Sequence, residues 1–168
     1  TAFAGKMDLI SKKKGWVVFT PHPGEMARLL ESSVQKIQRD RIQVARNFAE
    51  TYGLILILKG ANSIVASPEG EIFINPTGNP GMASGGMGDV LTGMVGGFLA
   101  QGFVPLEAAK LGVFLHGLAG DLVAHKKGER GMAATDLLEE TPRLLRALAR
   151  RNDQIDDFSI PLSAARVD

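Results

Sequence analysis

Leu54-Ile-Leu-Ile-Leu58 is apolar at every position. Side chains of a strand alternate between its two faces, so a run without alternation must be covered on both. That requirement predicts a central parallel strand between two helical layers, and hence an α/β fold. The order of the flanking segments agrees. Trp16-Val-Val-Phe-Thr20 is a short β-branched run that stops at Pro21-His-Pro-Gly24, a strand entering a rigid loop. A short helix is expected from Glu25 to Glu31. Ser33 opens the next, which carries Val34, Ile37, Ala45, Phe48 and Tyr52 at helical spacing and stops at Gly53. Ile64–Ala66 and Glu71–Ile74 flank the turn signature Ser67-Pro-Glu-Gly70 and predict a hairpin.

Between Asn75 and Met94 stand six glycines: Gly78, Gly81, Gly85, Gly86, Gly88 and Gly93. Such a loop lets the backbone take positive φ and approach a ligand with no Cβ in the way. Its amides, followed by a helix start, suit phosphate or another anion. Asp89 closes the loop with a carboxylate, which would repel an anion. Two readings compete there. Asp89 either caps the helix and complements its dipole, or takes a proton from the group that attacks phosphorus. The helix is expected to run from Asp89 to Ala100 with Gly93, Gly96, Gly97 and Ala100 against the sheet. A further helix runs from Pro105 to about His125, and Thr135 begins the last, which Thr141-Pro142 would cap or kink.

Two more segments leave strand ends, where open α/β sheets bind ligands. Lys59-Gly-Ala-Asn-Ser63 follows the apolar strand, and Lys59 either holds nucleotide phosphate or carries the strand end into water. In Thr20-Pro-His-Pro-Gly-Glu25 two prolines either preorganise His22 for a substrate or form an ordinary turn. His116 and His125, nine residues apart in a helical run, read as core or surface residues rather than metal ligands. There is no Walker A sequence, and Gly86-x-Gly88 fails as a dinucleotide fingerprint because Leu91 fills the third glycine position.

Composition narrows the class. A formal net charge of +1 argues against electrostatic capture of nucleic acid. The absence of cysteine removes disulfides, thiolate catalysis and Cys-ligated zinc, and fits a reducing compartment. No apolar run reaches the ~18 residues of a membrane span. A cytoplasmic protein is expected.

Three segments together, Thr20-Pro-His-Pro-Gly-Glu-Met-Ala-Arg-Leu-Leu30, Leu58-Lys-Gly-Ala-Asn-Ser63 and Gly78-Asn-Pro-Gly-Met-Ala-Ser-Gly-Gly-Met-Gly-Asp-Val-Leu-Thr-Gly93, resemble the ADP- or ATP-dependent NAD(P)H-hydrate dehydratases of the ribokinase-like superfamily. The resemblance implies a three-layer α/β/α fold with a mostly parallel sheet. It also implies repair of hydrated NADH and NADPH: nucleotide phosphorylates the C6 hydroxyl, and loss of phosphate restores the reduced cofactor. By position, Asp89 would be the base, and the amides of Gly86, Met87 and Gly88 the anion hole. His22, with Asp89, would bind the hydrate. Lys59, Gly60, Ala61, Asn62, Ser63 and Gly88 would contact ADP or ATP, with Mg²⁺ accompanying the nucleotide. Ser84 and Met87 stand where the family pattern has Thr and a small residue, and both leave the backbone pattern intact.

Family members extend further upstream, and only about four strands are visible here. Residues 1–150 are therefore expected to be the C-terminal portion of one ribokinase-like domain, with its N-terminal part absent and a loose tail over 151–168. A homo-oligomer and an upstream epimerase domain are further expectations. The alternatives are a related small-molecule kinase, such as a hydroxyethylthiazole kinase, and a nucleotide-binding module without catalysis.

Overall fold

Alternation along one strand builds the three layers. In a computed structural model that describes residues 2–151, strand β2 (Ile55–Leu58) is buried at all four positions. Leu56 and Leu58 face a cluster that includes Met26, Ile37, Ala45, Phe48 and Ala49. Ile55 and Ile57 face the opposite one, with Val65, Leu91, Val95, Ala109 and Val113. Each such side chain contributes about 1.5–3 kcal/mol on burial, so both faces must be covered, and helices cover them.

The first layer holds the short α1 (Asp8–Ser11), α2 (Pro23–Leu29), α3 (Val34–Arg39) and α4 (Arg41–Tyr52). The other holds α5 (Met87–Ala100), α6 (Pro105–Lys127) and α7 (Ala134–Arg151). Between them lie β1 (Val18–Phe19), β2, β3 (Ile64–Ala66) and β4 (Ile72–Ile74), in that order across the sheet. A short 3₁₀ turn spans Pro80–Met82. No helix among the described residues is long and apolar enough to cross a membrane.

The α/β/α class holds, but the sheet is not mostly parallel. β1 pairs with β2 in parallel, Val18 opposite Ile55, whereas β2–β3 and β3–β4 are antiparallel, with Ile57 opposite Val65 and Val65 opposite Phe73. Connection length decides it. Lys59–Ser63 is far shorter than the dozen or so residues a parallel crossover needs, so the chain must turn straight back. The β3–β4 hairpin turns where expected, with Gly70 at φ +87 and its amide on the Ser67 carbonyl.

Two helical expectations change. The helix opened by Ser33 does not run through to Tyr52. Asp40 leaves helical geometry (φ −149, ψ 72) and its carboxylate accepts from the Gln43 amide at 3.1 Å, capping α4 as a new helix. Gly53 ends α4 in the left-handed conformation, as expected. On α5, Gly93, Gly96 and Gly97 turn away from the sheet and a Cβ on any of them would meet nothing within 4 Å. Leu91 and Val95 take the sheet-facing side instead, since larger apolar groups gain more from it. The close approach belongs to α6, where a Cβ on Gly112 would stand 2.6 Å from Val95 Cγ2. Pro142 lies within α7 without ending it, and Lys126 of α6 bonds both carboxylate oxygens of Glu140 at 2.7 Å. Of the tail expected over 151–168, Arg151 ends α7 and 152–168 lie outside the described residues.

Candidate active site

Because β1 and β2 run parallel, both deliver their C-terminal ends to one edge of the sheet, and the Lys59 amide donates to the Pro21 carbonyl at 2.9 Å to tie the two loops together. His22 sits there as the N-cap of α2. Its Nδ1 accepts from the amides of Gly24 (3.0 Å) and Glu25 (3.3 Å), and its own amide donates to Glu25 Oε2 at 2.7 Å. This reciprocal capping leaves the ring hydrogen on Nε2. Gly24 is required beneath the ring, since a Cβ would fall 2.9 Å from His22 Cε1. Burial pushes the Glu25 carboxyl up, but the His22 amide bond and the charge of Lys59, 3.6 Å away, outweigh it and hold the group below its ordinary value.

Arg41, the first residue of α4, organises the Lys59–Ser63 loop. Its guanidinium donates to the carbonyls of Ala61 (2.5 Å), Leu58 (3.2 Å), Asn62 (3.3 Å) and Lys59 (3.4 Å). Gly60 (φ +146) leaves room for it, since a Cβ would stand 2.9 Å from Nη2. With its carbonyls turned to Arg41, the loop has a fixed backbone and the cation backs it.

The glycine-rich segment is strapped to α6. Asp121 accepts from the Gly78 amide and the Asn79 side chain, both at 2.9 Å. The buried Asn75 donates to the carbonyls of Thr77 (3.0 Å) and Val113 (3.4 Å), and the Thr77 hydroxyl reaches the Phe114 carbonyl at 2.9 Å. Gly117 and Gly120 form the sockets: a Cβ on Gly117 would meet the Thr77 carbonyl carbon at 2.7 Å, and one on Gly120 would meet Met82 Cγ at 2.8 Å.

Gly86, at φ +84, turns the segment into α5 without any side-chain cap, with the Asp89 amide donating to the Gly86 carbonyl at 3.0 Å, so the amides of Met87 and Gly88 stand at the positive end of the helix dipole. Lys59 adds charge beside them; a Cβ on Gly88 would fall 2.8 Å from its Nζ. The Thr92 hydroxyl donates back to the Gly88 carbonyl at 2.9 Å and lies 3.3 Å from the Thr20 hydroxyl, linking α5 to the β1 loop.

These loops enclose a cavity of about 610 Å³. Of the residues singled out in the sequence, His22, Lys59, Gly60, Ala61, Asn62, Ser63, Met87 and Gly88 line it, whereas Gly86 and Asp89 do not. Asp89 is the third residue of α5 and exposed, directly after Gly88. Asn75, Thr77 and His116 also line the wall, and Arg41 and Asp121 support it from behind. Among the described residues no group of three or more His, Cys, Asp or Glu side chains is arranged to hold a metal.

A three-layer α/β/α sandwich whose cavity joins strand ends to a glycine-cornered helix start is ribokinase-like, and solved structures agree. The Bacillus subtilis ADP/ATP-dependent NAD(P)H-hydrate dehydratase co-crystallized with ATP/Mg²⁺ is 35% identical with a TM-score of 0.77, over 80% of this chain and 49% of that one. A ribokinase-like superfamily protein of Enterococcus faecalis is 31% identical with a TM-score of 0.66, over 84% of this chain and 50% of that one. The chain belongs to the NAD(P)H-hydrate dehydratase family, which matches residues 2–143. It is 48% identical to the bifunctional NAD(P)H-hydrate repair enzyme Nnr of Moorella thermoacetica, over 92% of this chain and 29% of that protein. It is 43% identical to the ADP-dependent (S)-NAD(P)H-hydrate dehydratase of Neisseria meningitidis, over 80% of this chain and 45% of that protein. The chain thus spans less than half the length of these curated relatives.

Proposed function

We propose that this protein catalyses nucleotide-dependent dehydration of hydrated NADH and NADPH. The observation that carries the reading is the single cavity onto which the Pro21-His-Pro loop, the Lys59–Ser63 loop and the Gly88 turn all open. The Arg41-backed loop holds the nucleotide, and Lys59 and the amides at the start of α5 face the transferred phosphoryl group. Asp89, one residue beyond Gly88, takes the proton of the C6 hydroxyl as its oxygen attacks phosphorus. Loss of phosphate from C6, with the neighbouring C5 giving up a proton to solvent, then restores the dihydronicotinamide. His22, its Nδ1 committed to α2, presents Nε2–H to the hydrate. Magnesium accompanying the nucleotide would supply charge neutralisation at the transferring group.

The wider setting belongs to the same reading: a cytoplasmic homo-oligomer, residues 1–150 forming part of one ribokinase-like domain, and an epimerase domain upstream, as the bifunctional relatives suggest. The test is recovery of reduced-nicotinamide absorbance from hydrated NADH with Mg²⁺ and ADP or ATP. Recovery should require nucleotide and fall by about 10²–10⁴-fold in Asp89→Asn, with nucleotide binding retained. A stable phosphorylated product would make the protein a small-molecule kinase instead. Nucleotide binding with no turnover would make it a binding module.

A further inference from the structure

His116 lies on α6, partly buried against the cavity, with Nε2 2.9 Å from the Met87 carbonyl oxygen. A carbonyl only accepts, so Nε2 carries the hydrogen and donates it. That carbonyl shares its peptide unit with the Gly88 N–H, and the oxygen and the hydrogen of a trans peptide point in opposite directions. A donor at the oxygen therefore polarises the unit and strengthens the N–H at its far end. Gly88 is also the residue over which the Lys59 ammonium sits. One glycine thus has a cation on one side and a charge-enhanced amide in its own backbone.

We propose that His116 is a positioning residue for phosphoryl transfer, which orients and polarises the Met87–Gly88 peptide so that the Gly88 amide meets the phosphoryl oxygens. This rests on reading the start of α5 as the anion hole. The ring is suited to the task. Burial pushes its pKa down and the charge of Lys59 adds to that, against the Met87 hydrogen bond, which raises it. The result is a neutral imidazole at neutral pH whose one hydrogen is committed. His125, on the same helix, is exposed and does not line the cavity, so it serves as an internal control.

The test uses ¹⁵N–¹H NMR of the whole chain, with inorganic phosphate as the probe. In the unsubstituted protein, His116 must show the Nε2–H tautomer, and phosphate must move the Gly88 amide resonance. His116→Leu should shift the Gly88 ¹⁵N resonance and weaken phosphate about fivefold, the scale of one hydrogen bond. His116→Gln, which returns an N–H donor to the same place, should restore both to within about twofold, and His125→Leu should change neither. In the repair assay His116→Leu should lower kcat about tenfold with the nucleotide KM little changed.

An Nδ1–H tautomer would overturn the proposal even if the leucine variant does not fold. So would a Gly88 resonance indifferent to His116→Leu in a folded protein, or a glutamine variant as impaired as leucine. If phosphate moves Gly88 but hydrate is not repaired, the dehydratase reading fails while the role of His116 toward the anion stands. If phosphate leaves Gly88 unmoved, the anion hole and the proposal fall together.

Discussion

Glu25 carries two duties on one carboxylate. It closes the cap of α2 through the His22 amide and it faces the Lys59 ammonium across the cavity rim. Its pKa is held below the ordinary value near 4.5, so its stabilisation is complete above that pH and is lost as pH falls through the lower, folded value. The urea midpoint measured from about pH 6 down to about pH 3 should therefore fall less steeply in Glu25→Gln than in the parent; equal slopes would show that the pair adds nothing. His22 was legible because the two prolines beside it mark its loop, although the cap it shares with Glu25, three residues on, was not read. Arg41 was not legible, since its first contact, the Leu58 carbonyl, lies seventeen residues on, and Asp121 acts across forty-three. Nothing in the local pattern around Arg41 separates a loop-holding guanidinium from a solvated one.

Helices α5 and α6 show how glycine's meaning depends on which way it faces. The stretch Gly93-Met-Val-Gly-Gly97 looks like a close-packing surface in the sequence, yet its glycines open to solvent while Gly112, Gly117 and Gly120 of α6 receive Val95, Thr77 and Met82. Periodicity alone could not tell the two apart, because both helices are apolar enough to be read from either side. Alanine separates them. Gly97→Ala fills empty space and should raise stability by roughly 0.5–1 kcal/mol through helix propensity. Gly117→Ala drives a methyl to within 2.7 Å of the Thr77 backbone and should cost about 1–3 kcal/mol, while displacing the Thr77 wall of the cavity. Paired urea unfolding curves would check both, and a stabilised Gly117→Ala would sink the socket argument.

At the scale of the molecule, the α/β/α order followed from the doubly apolar β2, and the site's location followed from the loops at strand ends. The antiparallel return from β2 to β3 did not, because it is set by the length of the Lys59–Ser63 connection rather than by any residue within β2. The cavity wall draws on α2, α5, α6 and the β2–β3 loop together, so a ligand there couples both layers of the sandwich. Adenine nucleotide at about a hundred times its Kd should add about 2.7 kcal/mol, or roughly 5–10 °C in Tm for a domain of this size. Comparing ADP with ATP would rank the donors by affinity, and no shift with either would remove nucleotide from the site.

Among the described residues β1 is an edge strand of two residues, entered from Trp16, which is 64% exposed. Trp16 is the only tryptophan in the chain. Within the described residues this margin of the sheet therefore carries the chain's own fluorophore. A partner that covers the indole would take it out of water and shift its emission to the blue. Emission from the untouched protein thus reports cover of this strand entry, with no label to disturb a strand too short to tolerate one.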